Sequence, residues 1–348
     1  MILRSSRLAI AALILGLGLF SGAHHASAAS FDCSKAELPL DKLICATPEL
    51  SAKDEEMAAK YKAALAILSP EGQGIVKDGQ RKWLKFVRTY CTSRIGQPAD
   101  NSTEDGAGCL SNEYDQRLHQ FESVAVKAGQ LVFYRVDDFQ IWPSAKNDPD
   151  GSRSGFGYCA IGYPQIDRPQ TPEAKGWNDT WRKWAGKPCK VPDATSVVDA
   201  NNDIDVDIDI NIAQPGFIGI TGIQGQYSHG AAHGLPGDDE QWNLLLPSFR
   251  ELEAADLFEP ESGWKKLIND RCKKAISEKL SPEQMSTNRW DDTCTEAGGW
   301  VLTPDHLAVS VYLGDDYGYA YGAADAEISW TDLAPYLLPN APVGPQGN

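Results

Sequence analysis

An α+β fold with a disulfide-stapled helical N-terminal part is predicted by three features of the chain. Apolar residues recur at helical spacing between Leu50 and Phe121, then give way to strand-like alternation from Leu131 onward. Eight cysteines, an even number, all follow a short hydrophobic leader, which points to bridges formed in an oxidising compartment. Ile204 to Ile212 alternates apolar residues with aspartates, the period-two signature of a half-buried strand.

The leader comes first. Arg4 and Arg7 supply a positive start, Leu8 to Phe20 is apolar, and Ala26-Ser27-Ala28 gives a small-x-small cleavage pattern. The apolar run is shorter than the roughly 20 residues needed to span a bilayer, and no cysteine stands directly after the cleavage point, so lipid attachment is not expected. Residues 1–28 are therefore expected to be a removed signal peptide. The product should be a soluble periplasmic or secreted protein that does not span a membrane.

A helical domain is expected over residues 30–124. Thr47 reads as an N-cap with Pro48 at the first helical position. Leu50, Met57, Tyr61, Leu65 and Leu68 then form one stripe, which Ser69-Pro70-Glu71-Gly72 ends. A second helix is predicted from about Ile75 to Tyr90 and a third from about Leu110 to Phe121, with Gly96 to Gly108 as a loop. Helices this few hold together poorly without cross-links. Cys33, Cys45, Cys91 and Cys109 supply two, and Cys159 with Cys189 and Cys272 with Cys294 would complete the set, although eight cysteines allow 105 connectivities. With no C-x-x-C pair, neither a zinc site nor any other cofactor is expected.

Residues 125–340 are expected to form an α+β domain with an antiparallel sheet and one main helix. Leu131 to Trp142, Ile204 to Ile212, Phe217 to Ile223 and Leu307 to Leu313 read as strands. The helix follows Gly263 and carries Trp264, Leu267, Ile268, Cys272, Ile276 and Leu280 along one side. The Pro/Gly-rich tail, residues 341–348, is expected to be disordered.

Charge narrows the partners. The chain carries −16, and loss of Arg4 and Arg7 with the leader makes it more negative still. Such a chain repels phosphate backbones, which argues against nucleic acid, and attracts cationic proteins. The charge could equally serve solubility alone. Asp203, Asp205, Asp207 and Asp209 would share one strand face, and their repulsion must be relieved by open water, a basic partner or calcium. The spacing is not that of an EF-hand loop.

No catalytic pattern is visible. There is no G-x-S-x-G, P-loop or dinucleotide-binding glycine pattern. His229 and His233 are four apart, but the glycines and proline around them disfavour a helix. A hydrogen-bonded histidine in a tight turn is the better account, with Asp238, Asp239 and Glu240 near enough to complete a weak metal site. Between Leu313 and Gly322 the chain alternates small residues with Tyr317, Tyr319 and Tyr321 behind Asp315 and Asp316. Such a loop offers amphipathic contact area at low entropic cost, or else packs as an ordinary aromatic hairpin. Trp142, Trp177, Trp181 and Trp184 are expected to be core or edge cover.

Two resemblances add to this. Cys33, Ile44-Cys45, Gln80, Trp83-Leu84, Cys91, Cys109-Leu110, Tyr114 and Arg117 together resemble the N-terminal domain of the LprI-type lysozyme inhibitors. The arginine that follows the tryptophan in that pattern is displaced, with Val87 in its place and Arg88 next. Further on, Tyr163-Pro164-Gln165-Ile166 with Trp177-Asn178, Tyr227 through Gly234, Asp256-Leu257-Phe258, and Trp300 through Ile328 resemble the extracellular domain shared by the anti-sigma factor RsiV and the PdaC-type deacetylase. Both families have members that bind lysozyme. The resemblances therefore imply a non-catalytic exported protein that captures a lysozyme or another basic cell-wall hydrolase, with the tyrosine loop blocking its cleft. The competing expectation is an envelope enzyme or accessory factor acting on peptidoglycan or another glycan.

Overall fold

Proline opens each of the first three helices. Pro39 starts α1 (Pro39–Ala46), Pro48 starts α2 (Pro48–Ile67) and Pro70 starts α3 (Pro70–Thr92). Its fixed φ suits the first turn, and its missing N–H costs nothing there. The fourth helix, α4 (Gly106–Ser123), begins instead on Asp105, whose carboxylate accepts from the Gly108 N–H at 2.8 Å. The computed structural model describes residues 29–95, 105–145, 155–185, 200–231, 234, 240–286 and 290–344. The leader, Cys189 and His233 lie outside them, as do Asp238 and Asp239.

The turn at Ser69 ends α2 as expected, but it also starts α3 five residues before the predicted Ile75. Ser69 Oγ caps the Gly72 N–H at 3.2 Å, and Asp167 in turn accepts from the Ser69 N–H and hydroxyl. One proline thus closes one helix and opens the next. Helix α1 went unread because eight residues show too few turns for a period. The four N-terminal cysteines pair as Cys33–Cys45 and Cys91–Cys109, and Cys272–Cys294 forms as expected. Cys159 is also bonded, while its expected pairing with Cys189 lies outside the described residues.

Seven strands form one sheet in chain order: β1 (Ala125–Ala128), β2 (Leu131–Pro143), β3 (Phe156–Ile166), β4 (Asn202–Gln214), β5 (Phe217–Ser228), β6 (Glu240–Leu245) and β7 (Arg250–Glu251). The sheet is antiparallel as expected in every pairing but one: β3 and β4 run parallel. The connection between them carries a helix, α5 (Pro172–Ala185), as a parallel pair requires. The expectation of one main helix in this half is therefore corrected, to two. Asn178 on α5 clips the helix to the end of β3, accepting from the Ile166 N–H at 2.7 Å and donating to the Ile166 carbonyl at 3.0 Å. The Tyr163-to-Ile166 and Trp177-Asn178 motif is thus a structural clasp.

The sheet is covered on both faces. Ile208 and Ile210 of β4 pack with Ile218, Ile220, Phe133 and the α5 tryptophans. On the opposite face lie α3 and α4: Phe86 stacks on Phe139 at 5.5 Å and meets Tyr158 edge-on at 5.2 Å. The core of the helical part therefore runs on into Tyr134, Val136 and Tyr158 of the sheet.

A second sheet of three antiparallel strands, β8 (Trp300–Leu302), β9 (His306–Tyr312) and β10 (Ala323–Ser329), packs with α6 (Trp264–Ser277) around Trp264, Trp300, Leu307 and Ile328. Asn243 of β6 donates to the Trp300 carbonyl at 2.7 Å and ties the two sheets together. Of the tail expected to be disordered, residues 341–344 are described and the rest lies outside the described residues. The described part folds back as far as Gly344, and Val343 is 2% exposed within this core. Among the described residues no helix is long and apolar enough to cross a membrane.

Candidate functional site

The N-terminal motif residues converge on one spot. Trp83 of α3 meets Tyr114 of α4 edge-on at 5.5 Å. The Tyr114 hydroxyl donates to Asp54 of α2 at 2.7 Å, and the other Asp54 oxygen accepts from the Ser30 N–H at 2.7 Å. Arg117 donates through Nε to Gln80 at 3.1 Å. Burial, then the Asp54 charge and hydrogen bond, push the Tyr114 phenol well above its ordinary value, so it remains a neutral donor. Asp54 escaped the sequence reading. Its signal was present: it stands inside the apolar stripe Leu50, Met57, Tyr61, where a charge needs a partner.

Above this cluster opens a groove of about 530 Å³. Its walls include Leu40, Ile44, Met57, Leu84 and Val87, while Asp32, Lys35, Asp41 and Arg88 stand around it. Arg88 pairs with Asp41 at 3.5 Å, and Val87 in the arginine's expected place is buried at 1%. The Cys33–Cys45 bridge holds the arm that carries Phe31 to Ala36 along one wall. An apolar floor with a mixed-charge rim suits a protein side chain better than a charged metabolite.

On the other side of Trp83 lies a crevice of about 280 Å³ between the helices and the sheet. Two arginines dominate it. Arg117 Nη1 reaches Asp137 at 2.8 Å, and Arg135 reaches Asp137 at 2.6 Å, Asp207 at 2.5 Å and Asp209 at 2.7 Å. Gly162 makes room: a Cβ there would overlap the Arg135 guanidinium. Asp207 also accepts from Gln120 at 3.2 Å, and Asp209 from the Ser123 hydroxyl at 2.6 Å. The acidic ladder is therefore not the open contact face expected from the sequence. Its lower half is paired from within by Arg135, beneath α4. Asp203 pairs with His229 at 3.2 Å, and that histidine is buried beside the strand, as expected for the turn.

Asp205 is the exception in the ladder. It accepts from the Tyr158 hydroxyl at 2.9 Å and keeps solvent contact. Desolvation at the crevice pushes its carboxyl up to about 6; the Tyr158 hydrogen bond opposes this, and the Asp203 and Asp207 charges add to it. A carboxyl raised on folding contributes stability that is full below its unfolded value and lost as pH rises through about 6. Asp205→Asn keeps an acceptor for Tyr158 and removes the charge. It is expected to raise the melting temperature at pH 7.5 and leave it unchanged at pH 4, in thermal scans at both values. A variant less stable than the parent at pH 7.5 would refute this.

The tyrosine loop differs from its expected form. Residues Gly314–Tyr317 make a helical turn and Tyr319–Tyr321 a 3-10 turn. Tyr317 and Tyr321 lie against the C-terminal core, and their hydroxyls bond the Gln284 carbonyl at 3.1 Å and the Gln284 amide at 3.4 Å. Asp316 is exposed, whereas the Asp315 and Tyr319 side chains lie outside the described residues. The packed-hairpin alternative accounts for the two tyrosines that can be placed. Among the described residues no cluster of three or more His, Cys, Asp or Glu could hold a metal ion.

Comparison with known proteins reaches the helical part directly. Residues 33–121 match the family described as lysozyme inhibitor LprI. Two solved structures resemble the chain more distantly. A DUF3298 family member from Bacteroides fragilis gives a TM-score of 0.37 at 11% identity, covering 62% of this chain and 96% of its own. A DUF3298 family protein from Pseudomonas aeruginosa gives 0.38 at 14%, covering 62% and 97%. No curated protein matches the chain.

Proposed function

We propose that this chain is an exported, non-catalytic protein that binds lysozyme and inhibits it, with a helical domain over residues 30–124 seated on an α+β body over residues 125–340. The family match of residues 33–121 carries this reading. In this reading the enzyme is held in the groove of the helical domain and not by the loop from Leu313 to Gly322, and the packing of Tyr317 and Tyr321 against the C-terminal core supports that choice. The groove offers the inhibitor an apolar seat for a projecting side chain of the enzyme.

Charge supports a division of labour. Residues 33–121 are nearly neutral, with twelve basic and thirteen acidic side chains, so the acidic excess lies in the sheet-bearing body. The helical domain would supply the seat, and the body the long-range attraction for a basic enzyme, an attraction that weakens as salt rises. The resemblance of the C-terminal half to the RsiV/PdaC-type domain points to the same partner class.

Turbidity clearing by hen-type, goose-type and invertebrate-type lysozymes, titrated with the full chain, tests the reading. Saturable inhibition of at least one enzyme is expected at low salt. Ala58→Arg, a half-buried position in the groove, is expected to weaken it by about tenfold or more, as loss of a central apolar contact does. Undiminished clearing by all three enzymes at low salt would sink the proposal.

A further inference from the structure

We infer that a second groove, on the face of the large sheet opposite the helical domain, binds a neutral oligosaccharide bearing N-acetyl groups. The groove, of about 500 Å³, lies between α5, β6 and the turn after β6, within the ~300–1,000 Å³ usual for small-molecule sites. Its aromatic walls meet at steep angles. Trp181 stands at 87° to Trp242, centroids 5.1 Å apart, and at 76° to Trp184, centroids 5.9 Å apart. Trp177 faces Phe249 at 5.0 Å.

Two observations separate this groove from ordinary edge cover. Trp177 is 7% exposed, yet among the described residues its indole N–H has no acceptor. The indoles of Trp142, Trp300 and Trp330 instead donate to the carbonyls of Ala200, Cys294 and Thr303. A buried donor left without a partner is costly and calls for an explanation. The second observation is Phe249, which sits in the left-handed region at φ 55°. A bulky side chain rarely adopts that conformation, and here it sets the ring against Trp177. Strain of this kind collects at ligand sites.

The ligand class follows from the donors and acceptors together. Aromatic faces stack on the C–H faces of pyranose rings, and an acetamido carbonyl would accept from the Trp177 N–H while its methyl group meets the aromatic wall. Glu173 and Glu240 beside the groove, both exposed, can accept from sugar hydroxyls and would repel an anionic sugar. An aromatic box with carboxylates could also attract a cation. A cation, however, cannot satisfy an N–H donor, and exposed carboxylates weigh little against an orphaned buried group.

The test uses the full chain and N,N′,N″-triacetylchitotriose, with its fully deacetylated trimer as the cationic comparator. Saturable binding of the acetylated trimer is expected, with a change in tryptophan fluorescence and a shift of the Trp177 indole proton resonance. Trp242→Ala is expected to abolish saturation. Trp177→Phe keeps a ring and deletes the donor, and is expected to weaken binding by about tenfold. No saturable binding by the folded wild type, or a preference for the deacetylated trimer, would overturn the inference. Lysozyme plays no part in this experiment, and because the groove lies across the sheet from the helical domain, Trp242→Ala should leave lysozyme inhibition unchanged.

Discussion

Asp137→Ala is expected to lower folding stability by about 3–5 kcal/mol, the usual consequence of stripping one partner from a buried ion pair. Asp137 lies between two guanidinium groups at the junction of helices and sheet, and Arg117 beside it is 0% exposed. Without Asp137, Arg117 keeps, among the described residues, only the neutral acceptors Gln80 and Gln120. Arg135 fares better, because Asp207 and Asp209 still face it. The order of effects follows. Arg117→Met should cost less than Asp137→Ala, since Arg135 continues to hold Asp137. The double variant Arg117→Met/Asp137→Ala should recover part of the loss seen in Asp137→Ala. Urea unfolding of the three variants measures this, with Asp115→Ala, from the exposed pair with Lys53, as a surface reference worth about 0–1 kcal/mol. An Asp137→Ala midpoint no lower than that of Asp115→Ala would refute the argument.

The same junction sets opposing slopes with pH. Burial raises the Asp137 carboxyl, but Arg117 and Arg135 outweigh it and hold the group below its ordinary value. Its contribution is present above the unfolded value, about 3.9, and is lost as pH falls through the depressed folded one. Asp209 is raised, by burial first and by Asp207, against the pull of Arg135. Like Asp205, it loses stability as pH rises through its folded value. The junction is therefore most stable in mildly acidic solution, between the two slopes.

What the sequence made legible was periodicity, and what it hid was pairing across the chain. The stripe from Leu50 to Leu68 and the alternation from Ile204 to Ile212 both mark real elements, because one face of each must be buried. The alternation could not say what covers its aspartates. That depends on Arg135, 74 residues from Asp209, and on the space left by Gly162. An isolated Asp ladder reads as an acidic surface; with one buried arginine beneath a helix it becomes an internal joint. The parallel pairing of β3 and β4 was hidden for the same reason, since strand patterning is blind to direction. The tyrosine loop misled because small residues between aromatics suit either an exposed loop or one turned onto a core. The aromatic groove went unseen because Trp242 and Phe249 come from segments far from α5. The motif of the helical domain was legible as a set, yet its members point inward. The groove they support is lined largely by residues outside the motif.

Removing the two N-terminal bridges separately should dissociate stability from inhibition. Cys91 ends α3 and Cys109 begins α4, and they are 0% and 2% exposed. Cys91→Ala/Cys109→Ala releases a loop of 18 residues and empties part of the core, so a loss of about 3 kcal/mol or more is expected. Cys33→Ala/Cys45→Ala opens a comparable loop of 12 residues, for which chain entropy alone predicts a nearly equal loss. These two cysteines are only half-buried, however, and what they hold is an arm that can detach by itself. Local opening of that kind leaves the global transition largely intact. The arm forms one wall of the groove, from Phe31 to Ala36. Cys33→Ala/Cys45→Ala should therefore unfold close to the wild-type urea midpoint and still lose most of its inhibition of a responsive lysozyme. Full inhibition by that variant would mean the enzyme is held somewhere other than the groove.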